Sequence, residues 1–422
     1  MSSPADGGNP AAGGHGAPSP RRPWQDRHIL LGVTGGIAAY KTVSLARELT
    51  RRGAIVEVVL TRSAAEFVGA VTFEGVTGRA VHTGFVASGD VLGHIRLAHW
   101  ADVVCVAPAT ADFIARIAIG RADDLLAAIL LATRAPVLLC PAMNDAMWVH
   151  PQTQLNAAHI TDQIGYRMVG PATGALAFGE GSGPGRMEEP DVILEHIGRA
   201  LQPRDNLAGR TVLVTAGPTR EPVDAVRVLT NRSSGRMGFA LASAAWRRGA
   251  DVVLVHGPVD IPPPTGARRV VVETAEEMAN AVRAALPTAD VLLMAAAVAD
   301  FRPAFPQSSK IKKEHRPDVI ALESAPDILK STRAERRNGL IAVGFALETD
   351  DARANARKKL ESKGLDLIVL NEANAPGAGF EVETNRVVLL HSDREEELPL
   401  LPKTEVAEQI LDRVAIMLGG AS

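Results

Sequence analysis

Cysteine is nearly absent: Cys105 and Cys140 are the only two among 422 residues. Both sit in or beside apolar runs, and their spacing matches no metal site and no disulfide framework. They read as small buried hydrophobes in a reducing compartment. Charge of one sign is also missing. Lys+Arg number 45 and Asp+Glu 48, a net charge of -3, so there is no footprint for nucleic acid. No apolar run reaches the length of a membrane span. Residues Met1 to Pro23 are rich in Gly, Pro, Ala and Ser and lack an apolar signal core. They predict a disordered extension, 1–26, on a cytoplasmic protein.

What remains is ordinary for a globular chain: 46% hydrophobic and 22% charged. The length suggests two or three domains, at roughly 150 residues each. Apolar runs alternate with helical runs. Strands are predicted at His28–Val33, Ile55–Leu60, Ala101–Pro108, Val137–Cys140, Thr211–Thr215 and Asp251–His256. Helices are predicted at Gly36–Arg52, near Ala111–Ile119, and at Gly238–Arg248. This alternation specifies α/β architecture with mostly parallel sheets, here two Rossmann-like domains. The halves echo each other: Arg51-Arg-Gly-Ala matches Arg247-Arg-Gly-Ala, and Ala101-Asp-Val-Val matches Ala289-Asp-Val-Leu. Helix–Gly–strand punctuation of this kind is generic. The segment Leu201–Gly209 reads as a linker, so the domains are expected at 27–200 and 201–422.

Two loops stand out. Gly32-Val-Thr-Gly-Gly-Ile-Ala-Ala-Tyr-Lys41 joins the first strand to the first helix, where open α/β sheets bind ligands. It lacks the G-x-G-x-x-G spacing of dinucleotide sites, and the second strand ends without a carboxylate for a ribose. Glu57, mid-strand, reads as exposed or at an edge. Hydroxyls at Thr34, Thr61 and Ser63 suit a monophosphate such as FMN. Asn231-Arg-Ser-Ser-Gly-Arg-Met-Gly238 lies between an apolar strand and a helix, where backbone N–H groups receive phosphate.

Further segments add candidate chemistry. Ala107-Pro-Ala-Thr-Ala-Asp112 offers Thr110 at a helix start. Pro141-Ala-Met-Asn-Asp-Ala-Met-Trp148 offers Asn144, which can recognise a carboxylate or an amide, or cap a helix; spacing alone favours the cap. His94 lies near these groups in Gly93-His-Ile-Arg-Leu-Ala-His-Trp100, whereas His99 is expected to pack beside Trp100. In the second half, Lys310-Ile-Lys-Lys313 alone reads as a solvated charge run, Gly344–Thr349 as a strand-to-loop exit, and Lys359 and Lys363 as one soluble helix face.

The motifs Gly-Gly-Ile-Ala-Ala-Tyr-Lys, Gly-His-Ile, Ala-Pro-Ala-Thr-Ala-Asp and Pro-Ala-Met-Asn-x-x-Met-Trp resemble the flavin-dependent cysteine decarboxylase family. The C-terminal half resembles phosphopantothenate–cysteine ligase, so the chain is similar to bifunctional coenzyme A biosynthesis proteins over about Arg27 to Leu418. The resemblance implies FMN held near Gly35, Gly36, Thr61, Ser63 and Thr110, a catalytic His94, and Asn144 on the substrate carboxylate. It implies that a hydride leaves the cysteine β-carbon of 4′-phospho-N-pantothenoylcysteine, that carbon dioxide departs from the thioaldehyde, and that the hydride returns to give 4′-phosphopantetheine. Gly183-Pro-Gly-Arg-Met187 resembles a substrate-covering flap that includes Arg186. Phe178 stands where the family commonly carries a proton-donating cysteine. Glu180, another group or water is then expected to supply the proton.

For the ligase half the resemblance implies CTP as co-substrate and Mg²⁺ bridging its phosphates without a dedicated protein cluster. Met294, Ala295, Ala296, Asp300, Lys310, Phe345, Lys359 and Lys363 match the CTP pocket. So does Ala325-Pro326-Asp327-Ile328, where alanine replaces the family's asparagine. Asn231 matches the residue that handles the acyl-cytidylate, with Arg227 nearby and Lys310 assisting its formation. The substrates implied are 4′-phosphopantothenate, cysteine and CTP. The assembly implied is a homo-oligomer with trimeric decarboxylase and dimeric ligase domains. Two rival readings stand beside this one: a decarboxylase of peptidyl cysteine with a vestigial ligase half, and a non-catalytic flavin-binding regulatory subunit.

Overall fold

The computed structural model describes residues 22–85, 92–179, 181–202, 205–315, 318–348, 351–372 and 382–420. In the first half β1 (His28–Val33), β2 (Ile55–Leu60), β3 (Val103–Ala109), β4 (Val137–Pro141) and β5 (Arg167–Met168) form one sheet in the order β2-β1-β3-β4-β5. Every pairing is parallel. β3 and β4 are buried throughout, as strands covered on both faces must be. Helix α1 (Ala39–Arg51) buries Leu45, Ala46 and Leu49 at helical spacing. A helix at Gly93–Trp100, α2, leads into β3, and α3 (Pro190–Leu201) closes the half.

The second half holds an eight-stranded sheet. Its central strands are β6 (Thr211–Ala216) and β9 (Val291–Met294), flanked on one side by β7 (Asp251–His256) and β8 (Arg268–Val271). On the other side lie β10 (Ile341–Glu348), β11 (Leu367–Glu372), β12 (Val387–Leu390) and β13 (Glu395–Glu397). Pairings from β8 to β11 are parallel, and the last two are antiparallel. Helices α4 (Arg236–Arg247) and α5 (Lys403–Gly420) cover one face and share a core with it. The expected α/β class with two mostly parallel sheets is therefore what the chain adopts.

Four local expectations need correction. Trp24, placed in the extension by composition, is 5% exposed and packs in the first-half core beside Ile193 and Ile197. Glu57 is on an edge strand but only 8% exposed, because Arg79 and His82 reach it at 2.6 and 2.8 Å. His99 is exposed; Trp100 instead stacks on His28 at 4.6 Å. Gly344–Glu348 is not a loop exit: the strand runs on because β11 continues to pair with it, Phe345 with Val369. At Gly344 a side chain would meet Leu365 at 2.5 Å, which explains a glycine inside a strand.

The halves meet through ions and rings. Arg247 bonds Glu195 of α3 at 2.6 Å and Glu408 of α5 at 2.8 Å, and Arg248 bonds Glu408 at 3.0 Å and Asp412 at 2.6 Å. Arg52 and Arg247 lie over the Trp24 ring at 4.7 and 5.1 Å. The repeated Arg-Arg-Gly-Ala thus has two fates: Arg51 and Arg52 pair with Glu48 near the surface, while Arg247 and Arg248 are buried.

Removing the shared carboxylate leaves two buried guanidinium groups short of charge. Glu408→Gln is expected to lower the free energy of unfolding by about 3–5 kcal/mol, read from denaturant melts. A second prediction concerns acid. Burial pushes the Glu57 carboxyl up, but His82 and Arg79 together hold it below the usual range. The stabilisation from a depressed carboxylate is present above the unfolded value, about 4.3, and is lost as pH falls through the folded one. The stability gap between wild type and Glu57→Gln is therefore expected to shrink below about pH 4. A gap independent of pH would contradict this.

Candidate functional sites

In the first sheet the chain order reverses between β1 and β3, so the loops leaving their carboxyl ends part and open a crevice. Thr34 and Thr110 line up across it. The Thr34 hydroxyl donates to Pro108 O at 2.8 Å and accepts from Thr110 N at 3.1 Å, so it ties the two loops together. Thr110 caps the helix Ala111–Ala118 by accepting from Phe113 N. Thr61 accepts from Ala64 N at 3.3 Å. At Gly35 a side chain would strike Ser63 Cβ at 2.3 Å, whereas at Gly36 its nearest neighbour would be Thr110 Cγ2 at 3.6 Å. Gly35 thus permits a tight loop contact, and Gly36 leaves room beside the Thr110 side chain.

His94 is the second residue of α2, edge-on to Phe85 at 5.9 Å. Its Nδ1 is buried and has no hydrogen-bond partner, a cost that a bound group could relieve. Asn144 is a helix cap: its Oδ1 accepts from Ala146 N at 2.9 Å. That use of the oxygen leaves the amide NH₂ uncommitted to the cap, so the two readings of Asn144 are compatible.

The expected flap is a hairpin, Ala172–Ala175 against Ser182–Arg186. It is docked on the Asn144 segment, with Met143 N donating to Gly185 O at 2.9 Å. Side chains at Gly183 and Gly185 would strike Asp145 at 2.8 Å and Met143 O at 2.3 Å. Arg186 pairs with Glu189, which Lys41 also holds at 2.9 Å. Lys41 is 8% exposed and donates to Met187 O, so α1 anchors the end of the flap. Phe178 is fully exposed near the hairpin tip, and Glu180 lies outside the described residues.

The second sheet reverses between β6 and β9, and there a cavity of about 710 Å³ opens. Gly238 lets α4 pack on β6, since a side chain would meet Ala216 Cβ at 2.5 Å. Asn231 donates through Nδ2 to Ala297 O and Val298 O at 3.2 and 3.0 Å, joining its loop to the loop after β9. Ala325 N donates to Asp300 O at 2.9 Å, and Lys363 pairs with Asp327 at 3.3 Å.

Thus the cavity gathers Asn231, Met294, Ala295, Ala296 and Asp300 with Ala325, Pro326, Asp327 and Ile328. Phe345, Lys359 and Lys363 complete that wall, so the two helix lysines face a cavity and not only solvent. Arg227 and Lys310 do not line it. Arg227 instead bonds Asp224 at 2.9 Å and Ile311 O at 2.9 Å, while Ile311 N donates to Asp224 at 3.1 Å. This clamp fixes the segment that carries Lys310. The Arg227 hydrogen bond is the largest influence on Asp224 and holds its carboxyl far below the usual range.

Two family models match: a flavoprotein family over residues 18–202, and the DNA/pantothenate metabolism flavoprotein C-terminal domain over 207–417. A coenzyme A biosynthesis bifunctional protein of Vibrio vulnificus is 44% identical over 397 residues, covering 93% of this chain and 98% of that one. The chain belongs to the bifunctional coenzyme A biosynthesis protein family. Relatives so named from Mycobacterium bovis and Bacillus subtilis are 46% and 42% identical, covering 94% and 93% of this chain and 98% and 97% of theirs. Among solved structures, a C-terminal domain of such a protein is 40% identical, covers 51% of this chain and 99% of that one, and has a TM-score of 0.44.

Membership bears out the expected bifunctional enzyme of coenzyme A biosynthesis, a flavoprotein decarboxylase half followed by a ligase half. Sequence reasoning missed four groups in this family member. Lys41 closes a motif but carries no expected role of its own there, and Asp224 carries no motif signal. Asn385 and Lys403 line the C-terminal cavity from a strand and a helix that begin far along the chain. Breaking the clamp tests its role: in Asp224→Asn, tryptic cleavage after Lys310 and Lys312 is expected to accelerate several-fold with the melting temperature little changed. Equal cleavage rates would deny the clamp.

Proposed function

We propose that the C-terminal cavity joins 4′-phosphopantothenate to cysteine with CTP, and that the β1/β3 crevice decarboxylates the product with FMN. The observation that carries the ligase reading is the single cavity that gathers Asn231, Asp300, Ala325 to Ile328, Phe345, Lys359 and Lys363 at the switch point of the sheet. In that reaction the carboxylate of 4′-phosphopantothenate attacks the α-phosphorus, pyrophosphate leaves, and an acyl-cytidylate forms. The cysteine amine then attacks the acyl carbon and CMP departs. Asn231 is held through its NH₂ by two backbone carbonyls, so its oxygen is turned to accept a hydrogen bond from the attacking amine and orient it. Lys310, on the segment clamped by Asp224 and Arg227, brings positive charge to the leaving phosphates. Mg²⁺ travels with those phosphates; among the described residues no group of three acidic, His or Cys side chains could hold a metal by itself.

In the first half, the loop at Gly35–Gly36, the room it leaves beside the Thr110 side chain and the orphan nitrogen of His94 support the FMN reading. FMN, when bound, supplies the temporary removal of a hydride and its return. Asn144 orients the substrate carboxylate through its amide, and His94 holds or moves the proton nearest the reacting cysteine. The hairpin over Asn144 excludes water. Phe178 cannot donate a proton, so we assign that step to Glu180, another group or water, and expect the saturated thiol as product.

Apolar side chains stand exposed on the segments that carry the candidate site residues: Ile37 just before α1, Tyr40 in its first turn, Leu92 before His94, and Met147 and Val149 after Asn144. They support burial against further copies of the chain, with trimeric decarboxylase domains and dimeric ligase domains. The two buried free thiols, 3.8 Å apart and unlinked, support a cytoplasmic enzyme.

The test supplies phosphopantothenate, CTP, Mg²⁺ and cysteine, and follows pyrophosphate and carbon dioxide. Both are expected. His94→Ala is expected to lower carbon dioxide release by about 10²–10⁴-fold and leave pyrophosphate release unchanged. Pyrophosphate alone from the wild type would leave only the ligase, and neither product would favour a binding protein. Accumulation of an oxidised ene-thiol would overturn the assigned final step.

A further inference from the structure

One end of the ligase cavity is built from groups that the preceding chemistry does not use. Lys403 is 7% exposed and lines it as the first residue of α5, an 18-residue helix. Arg236 lines it as the first residue of α4. Both residues meet at Glu383: Lys403 N donates to its carbonyl at 2.9 Å, and the Arg236 guanidinium pairs with its carboxylate at 3.1 Å. Two helix N-termini, each worth roughly half a positive charge, therefore converge with two cationic side chains. The Glu383 carboxylate is 87% exposed, a partner that a bound anion can replace.

Beside these cations stand two acceptors with nothing to accept. Asn371 Oδ1 and Asn385 Oδ1 are buried without a hydrogen-bond partner, and both residues line the cavity. Asn385 is 5% exposed. The pairings place them together: Asn371 faces Val387, two residues from Asn385, and Asn385 faces Leu401, two residues from Lys403. Asn371, Asn385 and Lys403 all line this one cavity. A buried acceptor left unmet costs about 1–3 kcal/mol, which a ligand carrying donors recovers.

We propose that Lys403 and Arg236 grip the terminal two phosphates of the nucleoside triphosphate, and that Asn371 and Asn385 accept hydrogen bonds from the water shell of its Mg²⁺. This rests on the nucleotide reading of the cavity and extends it to the leaving group. A hydrated metal polyphosphate presents anionic oxygens and water donors side by side, which matches cations next to orphan acceptors. Burial lowers the pKa of the Lys403 ammonium, and Arg236 lowers it further, so an anion at this point relieves both. The subsite thereby holds pyrophosphate as it separates from the acyl-cytidylate.

The test is calorimetric titration of the full-length protein with inorganic pyrophosphate plus Mg²⁺, and separately with CMP. Lys403→Met keeps the aliphatic stem and removes the charge. It is expected to weaken pyrophosphate at least about tenfold and CMP by less than about twofold, with Lys403→Arg restoring most of the loss. Asn385→Leu is expected to raise the Mg²⁺ concentration for half-maximal pyrophosphate binding several-fold, again without moving CMP. Parallel loss of CMP and pyrophosphate would reduce Lys403 to a structural role and overturn the proposal. Unchanged pyrophosphate binding with a raised KM for cysteine would overturn it in favour of an amino-acid subsite. Wild type that binds pyrophosphate but not CTP would sink the nucleotide assignment and leave the phosphate subsite standing.

Discussion

Glu408 is the point on which the arrangement of this molecule turns. Its carboxylate receives Arg247 on one oxygen and Arg248 on the other, and its carbonyl receives Arg248 again at 3.1 Å. Isolated, each of these buried charges would be unaffordable in a core; together they are satisfied, though such a network favours a unique geometry more than raw stability. That geometry fixes α5 against α4, and so sets Lys403 beside Arg236 at the mouth of the ligase cavity. Through Arg247 and Glu195 the same carboxylate reaches α3 and the decarboxylase half. Gly198 makes the contact possible, since a side chain there would strike Arg247 at 2.7 Å and Trp24 at 3.0 Å.

Both sites follow from one rule of parallel sheets. Where strand order reverses, neighbouring loops diverge and leave a crevice at the carboxyl ends. Each half then secures its crevice with a small polar side chain that crosses it. In the first half Thr34 bonds Pro108 and Thr110; in the second Asn231 bonds Ala297 and Val298. Thr34 uses both its donor and its acceptor on protein, so it is a brace for the floor of the crevice. Asn231 crosses through its NH₂ alone.

Much of the fold was legible in the chain. β1, β2 and β7 begin and end where the apolar runs do, because each is buried nearly throughout. The candidate nucleotide residues were legible as motifs, and the cavity assembles nearly all of them. What misled was exposure. Glu57 reads as a surface carboxylate until Arg79 and His82, more than twenty positions on, cover it. Trp24 reads as part of a tail until α3 and the two arginines enclose it. Local pattern carries no information about such distant partners.

The sequence by itself determined the class of sheet, the two-part organisation and the candidate loops at the strand ends, since hydrophobic periodicity and glycine placement are local properties. Only the tertiary structure decided that Arg227 clamps the Lys310 segment and does not line the cavity, and that Arg247 and Arg248 are buried where their twins at Arg51 and Arg52 pair near the surface. It alone brought Asn371, Asn385 and Lys403 to one end of the ligase cavity. Those roles depend on which charges and strands meet across the fold, and that is settled by packing between elements far apart in the chain.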